Sequence, residues 1–217
     1  MYIKYFDIYS QRMGMDIEIL SNGARLYSLE GQKHMPSVFI AAGQHGDERA
    51  GSIALLELMR NEQIPTLGSI RICPIVSPEA WDLNVREEYG VDLNRTWSPE
   101  KANNTILSLM MSIESNPPSV FIDHHESGTN GVSDVLPRNG TKYELRYSGS
   151  ELNRNTVTSD GRLVNFLKIS KHHPDSSIQF ARSVGAKKAV CVETNVFLDL
   201  VDRVDFHKQI ITHAFSI

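Results

Sequence analysis

The apolar residues of this chain change period several times, and each change marks an element. Over residues 1–36 apolar and polar positions alternate, as in Ile17-Glu18-Ile19 and again around Leu26 and Leu29, with Asn22-Gly23 between the two runs. Period two on either side of an Asn-Gly pair predicts an antiparallel hairpin at a sheet edge. Residues 38–42 are then apolar without interruption, as in a strand buried on both faces, and a helix is predicted over 52–60. Residues 69–76 read as a second strand, with Pro74 marking its end or a bulge.

Residues 77–98 carry no clear period and read as a long loop. Ser98-Pro99-Glu100 then has the form of a helix start, and Ile106, Leu109, Met110 and Ile113 give that helix an inner face that Asn116-Pro117-Pro118 brings to an end. A short buried strand over 120–122 runs into Asp123-His124-His125-Glu126. The stretch 127–171 is rich in Gly, Asn, Ser and Thr and reads as a surface excursion, with short strands at 143–147 and 163–169, from which a specificity pocket would be built. A helix over 174–184, a strand over 188–192 and a closing helix over 199–215 complete the chain. Strands that alternate with helices and finish in polar residues describe an α/β domain with a mostly parallel sheet and its working edge on one side.

Composition narrows the function. A length of 217 residues, 41% hydrophobic and 22% charged, suits one globular domain over 1–217. A net charge of −4 with scattered basic residues lacks the footprint of a nucleic-acid binder. Cys73 and Cys191 lie inside apolar runs and read as small core residues rather than a disulfide. Neither a signal peptide nor an 18-residue apolar stretch is present, which predicts a cytoplasmic protein without membrane contact.

The chemistry gathers at the ends of the predicted strands. In His45-Gly46-Asp47-Glu48 an imidazole and a carboxylate three residues apart can converge on one ion; the competing reading is a capping glutamate beside a loop histidine. Strand alternation places Asp123 and His125 on one side and His124 on the other, so His125 is the third candidate ligand and His124 a packed or hydrogen-bonded histidine. Two histidines and a carboxylate leave a position open for water, as in a catalytic zinc site. Asn94 and Arg95 form a candidate clamp for a carboxylate, and Arg86 can serve a second anion or a developing oxyanion. Glu193 closes an apolar strand, where it can act as general base or simply face solvent. His172 and His173 read as the surface of a polar loop, the competing reading being that one of them approaches the site.

The order of these motifs resembles the zinc carboxypeptidase superfamily, including carboxypeptidase A and the succinylglutamate desuccinylase/aspartoacylase branch. The matching segments are G-Q-H-G-D-E-R-A-G, S-P-E-A-W, R-x-x-x-x-x-D-L-N-R-T-W, F-I-D-H-H-E and V-E-T, spread over residues 37–195. The resemblance implies a three-layer, twisted mixed sheet flanked by helices and one zinc ion held by His45, Glu48 and His125. It also implies Asp92 orienting a ligand histidine, Glu193 activating water for attack on an amide carbonyl, Arg86 stabilising the oxyanion, and Asn94 with Arg95 binding the substrate's free carboxylate. Three readings follow: a compact metallocarboxypeptidase acting on small peptides, an N-acyl amino acid deacylase, and a carboxylate-binding protein that keeps the fold without turnover.

Overall fold

The computed structural model describes residues 2–127, 143–149, 164–168, 172–215 and 217. The chain opens with helix α1 (Tyr2–Arg12), followed by strands β1 (Asp16–Ile19), β2 (Arg25–Leu29) and β3 (Val38–Ala42). Next come α2 (Ala50–Arg60), β4 (Ile70–Cys73), α3 (Pro78–Leu83), a 3-10 turn (Leu93–Arg95) and α4 (Asn104–Ser115). The rest comprises β5 (Val120–Ser127), β6 (Tyr143–Gly149), β7 (Val164–Lys168), α5 (Ser177–Ser183), β8 (Lys188–Asn195) and α6 (Leu200–Thr212).

The strands form one sheet in the order β1-β2-β4-β3-β5-β8-β6-β7. Its centre, β4-β3-β5-β8, is parallel, whereas β1 and β2 add an antiparallel hairpin on one side and β6 pairs antiparallel with β8 on the other. Every position of β3 is buried, which is why it reads as a continuous apolar run rather than an alternating one. Val38, Ile40 and Ala42 face one core with residues of α2 and α6, whereas Phe39 and Ala41 face the other with α4 and α5. Helices therefore cover both faces in a three-layer α/β arrangement.

Three elements depart from the expectations. Residues 2–12 are helical rather than part of an edge strand, because Ile3, Phe6, Tyr9 and Met13 recur at helical spacing and pack on the core. The loop expected over 77–98 contains α3, whose cap Ser77 accepts from the Ala80 N–H through its hydroxyl and whose first residue is Pro78. Helix α4 begins at Asn104 rather than at Ser98-Pro99, because the Asn103 side chain accepts from the Ile106 N–H and supplies the cap. Most of 127–171 lies outside the described residues, apart from β6 and β7. Among the described residues no helix is long and apolar enough to cross a membrane.

Candidate metal centre

The central parallel strands end at one edge, and the loops beyond them carry the candidate residues, where open α/β sheets form ligand crevices. After β3 the chain turns through His45 and Glu48 into α2. Gly46 is obligatory at this turn, since a Cβ there would lie 2.0 Å from the Ala80 backbone of α3. On β5 the pleat sends Phe121, Asp123 and His125 toward the α4/α5 face and Ile122, His124 and Glu126 toward α2 and α6.

His45, Glu48 and His125 meet as a buried cluster whose ligand-capable atoms lie within 4.8 Å of one another. Nδ1 of His45 is 2.8 Å from Glu48 Oε1, and Nδ1 of His125 is 2.8 Å from Glu48 Oε2. Behind each imidazole stands another carboxylate: His45 Nε2 donates to Asp92 Oδ1 at 2.9 Å and His125 Nε2 to Asp123 Oδ2 at 2.9 Å. With both Nε2 protons so engaged, Nδ1 is the atom that each ring aims toward Glu48, and in the neutral ring it is the nitrogen that can ligate a metal.

The electrostatics favour a cation at this place. Burial alone would push His45 and His125 toward neutrality, but the carboxylates beside them outweigh it and raise both, His125 strongly. Burial opposes the charge on Glu48, Asp92 and Asp123 as well, and the adjoining imidazoles hold all three carboxyls below their ordinary range. Among the described residues three carboxylates face one guanidinium, that of Arg86, so with neutral imidazoles these groups sum to a negative charge. A divalent metal with nitrogen and oxygen donors fits such a set.

Arg86 comes to the cluster's rim, with Nη1 2.8 Å from Glu48 Oε1 and Nη2 3.3 Å from Asp92 Oδ2. Asn94 lies beside His125, its Nδ2 3.1 Å from the imidazole Nε2. Its Oδ1 accepts the Ser177 N–H at 3.1 Å from the first turn of α5, which fixes the carboxamide's orientation. Arg95 is exposed and donates to the Asn94 carbonyl. Glu193 is the cross-strand partner of His125 on the same face of the sheet, half-exposed, with the Cys191 thiol 3.5 Å from its Oε1. His173 is exposed and its Nδ1 accepts the Asp175 N–H, so it belongs to the surface.

Several supporting residues escape a reading of the sequence. Asp123 accepts from Gln44 Nε2 at 2.5 Å and from the Ser177 hydroxyl, while Gln44 Oε1 accepts the Trp97 indole N–H at 2.7 Å. On the opposite face, Glu126 donates its backbone N–H to Glu48 Oε2 at 3.0 Å and accepts the Ala50 N–H at the start of α2. Glu126 also pairs with Arg203 of α6 and takes a 3.3 Å bond from Thr194, which in turn contacts His207. Only the Asp123 position had a signal, its spacing of two from His125 on a strand; the Gln44–Trp97, Ser177–Asp123, Arg203–Glu126 and Ser177–Asn94 bonds join residues 53 to 83 positions apart.

Residues 34–130 match the model of the succinylglutamate desuccinylase/aspartoacylase catalytic domain. No curated protein matches the chain. Among solved structures, a Shewanella baltica protein assigned to the metallopeptidases is similar, with 18% identity, a TM-score of 0.77 and coverage of 99% of this chain and 90% of that one. A metallo-carboxypeptidase from Burkholderia cenocepacia gives 14% identity and a TM-score of 0.70 over 98% of this chain and 66% of that one. The cell shape determinant protein Csd4 from Helicobacter pylori, in a product-bound form, gives 17% and 0.68 over 86% and 53%. Over residues 34–130, the segment that carries the histidines, the sequence is similar to the succinylglutamate desuccinylase/aspartoacylase catalytic domain, and over the whole length the fold is similar to that of these solved structures.

Proposed function

We propose that this chain is a zinc-dependent metallocarboxypeptidase that hydrolyses an amide bond next to a free carboxylate. The observation that carries the reading is the buried His45, Glu48 and His125 cluster, with both imidazoles oriented from behind by carboxylates and Glu193 on the neighbouring strand. Zinc held by these three residues would supply Lewis acidity to the carbonyl and to water.

The chain's own residues then divide the work. Asn94 and Arg95 grip the substrate's carboxylate, the exposed guanidinium giving two parallel bonds and the carboxamide a further donor. Arg86 stands where negative charge develops on the carbonyl oxygen, and its contact with Glu48 keeps it there beforehand. Glu193 takes a proton from the attacking water as the new C–O bond forms and returns it to the nitrogen as the C–N bond breaks, so a carboxylate and an amine leave. Asp92 acts through His45, holding its ring and tautomer.

A second reading, an N-acyl amino acid deacylase, is favoured by the family match over residues 34–130. A peptide substrate is favoured by the likeness to Csd4, which is also known with a tripeptide bound. Zinc-loaded protein offered a panel of small C-terminal peptides and N-acylated amino acids separates the two. Hydrolysis confined to acylated monomers rejects the peptidase reading. Absence of both zinc binding and hydrolysis leaves only a carboxylate-binding protein. Glu193→Gln should retain zinc and lose about 10²- to 10⁴-fold in kcat; undiminished turnover rejects Glu193 as the base.

A further inference from the structure

The segment between Arg86 and Asp92 adopts a turn that its sequence does not favour. Glu88 and Val91 bridge through backbone bonds of 3.1 and 2.9 Å, and the two tip residues, Tyr89 and Gly90, have φ of 50° and 77°. Successive left-handed residues are the geometry of a type I′ turn, whose first tip position belongs to Asn, Asp or Gly. Tyrosine is a costly occupant, because its Cβ crowds the following carbonyl.

The surroundings force the conformation from outside. The buried Glu88 carboxylate accepts from Asn22 Nδ2 at 2.9 Å and Asn103 Nδ2 at 3.4 Å, and the Tyr89 N–H donates to Glu79 at 3.3 Å. The ring recovers none of that cost in the free protein: Tyr89 is 80% exposed, without a side-chain partner among the described residues. A strained residue held in place while its side chain stands in water marks a position kept for something other than stability.

That position lies beside the metal centre. The Arg86–Asp92 ion pair at 3.3 Å closes the base of the turn, and both residues also contact the ligand cluster. Each leg is three residues long, so the Tyr89 Cα lies within about 10 Å of both base residues. Val85 and Val91, 40% and 45% exposed, add apolar surface along the same segment. Scattered exposed apolar residues are ordinary; three on one short segment that borders an ionic site are a surface built for contact.

We propose that Tyr89 is a substrate-contacting residue whose ring, with Val85 and Val91, covers an apolar or aromatic part of the substrate, an acyl group or a side chain, held by its carboxylate at the site. The proposal rests on the reading of this site as one that takes carboxylate-bearing amides. It accounts for a tyrosine where the turn itself prefers asparagine.

Hippurate, which joins a free carboxylate to a phenyl ring through an amide, is the probe. Zinc-loaded protein carrying 3-fluorotyrosine shows a fluorine resonance for each of its 7 tyrosines, and Tyr89→Phe identifies the one that matters. Hippurate should bind and move that resonance, and N-acetylglycine, which lacks the ring, should move it less. Tyr89→Asn should raise Tm by about 2 °C, keep its zinc and weaken hippurate binding about 3- to 10-fold. No hippurate binding to the unaltered protein, an unmoved resonance at saturation, or unchanged affinity in Tyr89→Asn each overturns the proposal. A moved resonance in a protein that hydrolyses nothing on the substrate panel sinks the hydrolase reading and leaves the Tyr89 contact standing.

Discussion

Nδ1 of His124 lies 2.7 Å from Nδ1 of His207, so one ring must donate and the other accept. The far end of the chain decides which. Thr194 donates its hydroxyl proton to Glu126 at 3.3 Å, so it must accept from His207 Nε2–H at 3.1 Å. His207 Nδ1 is then the acceptor and His124 Nδ1–H the donor, with both imidazoles neutral. Burial holds His207 well below its ordinary pKa and His124 at about 3.

Acid should therefore unfold this protein from the back of the sheet. Both groups have native pKa values below their unfolded ones, so the stability they contribute is complete above about pH 6.5 and drains away as pH falls toward 3. At pH 5 the loss amounts to about 2 kcal/mol for His124, and His207 adds to it in the same direction. Tm measured from pH 7.5 to 4.5 should fall, and fall less steeply in His207→Gln, which keeps a donor for Thr194 and does not titrate. Equal slopes in the two proteins would place the acid sensitivity elsewhere.

Asp92 should govern metal affinity without being a ligand. Its Oδ1 takes the Nε2 proton of His45 and its Oδ2 pairs with Arg86, so Asp92→Asn weakens the bond that fixes the ring and leaves a carboxamide N–H to compete for it. Zinc affinity measured against a chelating dye should drop about 10- to 100-fold, with the fold intact by circular dichroism. Unchanged affinity would mean that the ring is oriented by packing alone.

The sequence made the first contact of each ligand legible and hid what stands behind it. His45 and Glu48 share one turn, and His125 follows from strand alternation; both are local geometry. His207, Arg203 and Ser177 reach the same site from distant elements, and Gln44, beside His45, reaches Asp123 across 79 residues; no period or spacing encodes those contacts. The two Ser-Pro-Glu triplets make the same point for the fold. At Ser77 the triplet starts α3, because the hydroxyl finds the Ala80 N–H. At Ser98 it forms only a turn, because Asn103 caps α4 instead and also donates toward Glu88. Identical local signals were decided by which side chain had a partner in the folded molecule.

Arg203 should be worth more to stability than its partial exposure suggests. It pairs with Glu126, a buried carboxylate that binds the N-terminus of α2 through Ala50 and donates its own N–H to Glu48. Burial raises the Glu126 carboxyl, and Ala50 and Arg203 pull it back. Arg203→Met leaves that charge buried without its cation and should cost about 3–5 kcal/mol. Adding Glu126→Gln should restore part of the loss, since a neutral carboxamide no longer needs the cation. A double variant no more stable than Arg203→Met would show that the guanidinium's packing, not its charge, is what α6 contributes.

Gly46 ties the metal-binding turn to the loop that carries Arg86. A Cβ at Gly46 would sit 2.0 Å from the carbonyl carbon and oxygen of Ala80 and 2.3 Å from the Trp81 nitrogen, all backbone atoms that cannot rotate aside. In Gly46→Ala one of two things must yield. If the turn retreats, His45 and Glu48 separate from His125 and zinc affinity falls. If α3 retreats, it carries the start of the Arg86 loop outward, and the Arg49 guanidinium loses its bond to the Trp81 carbonyl and its 4.9 Å approach to that indole. Either route should lower Tm, and the two are separable, because zinc affinity falls only in the first and Trp81 fluorescence changes chiefly in the second. A protein with unaltered Tm, zinc affinity and fluorescence would contradict the close packing of the turn on α3.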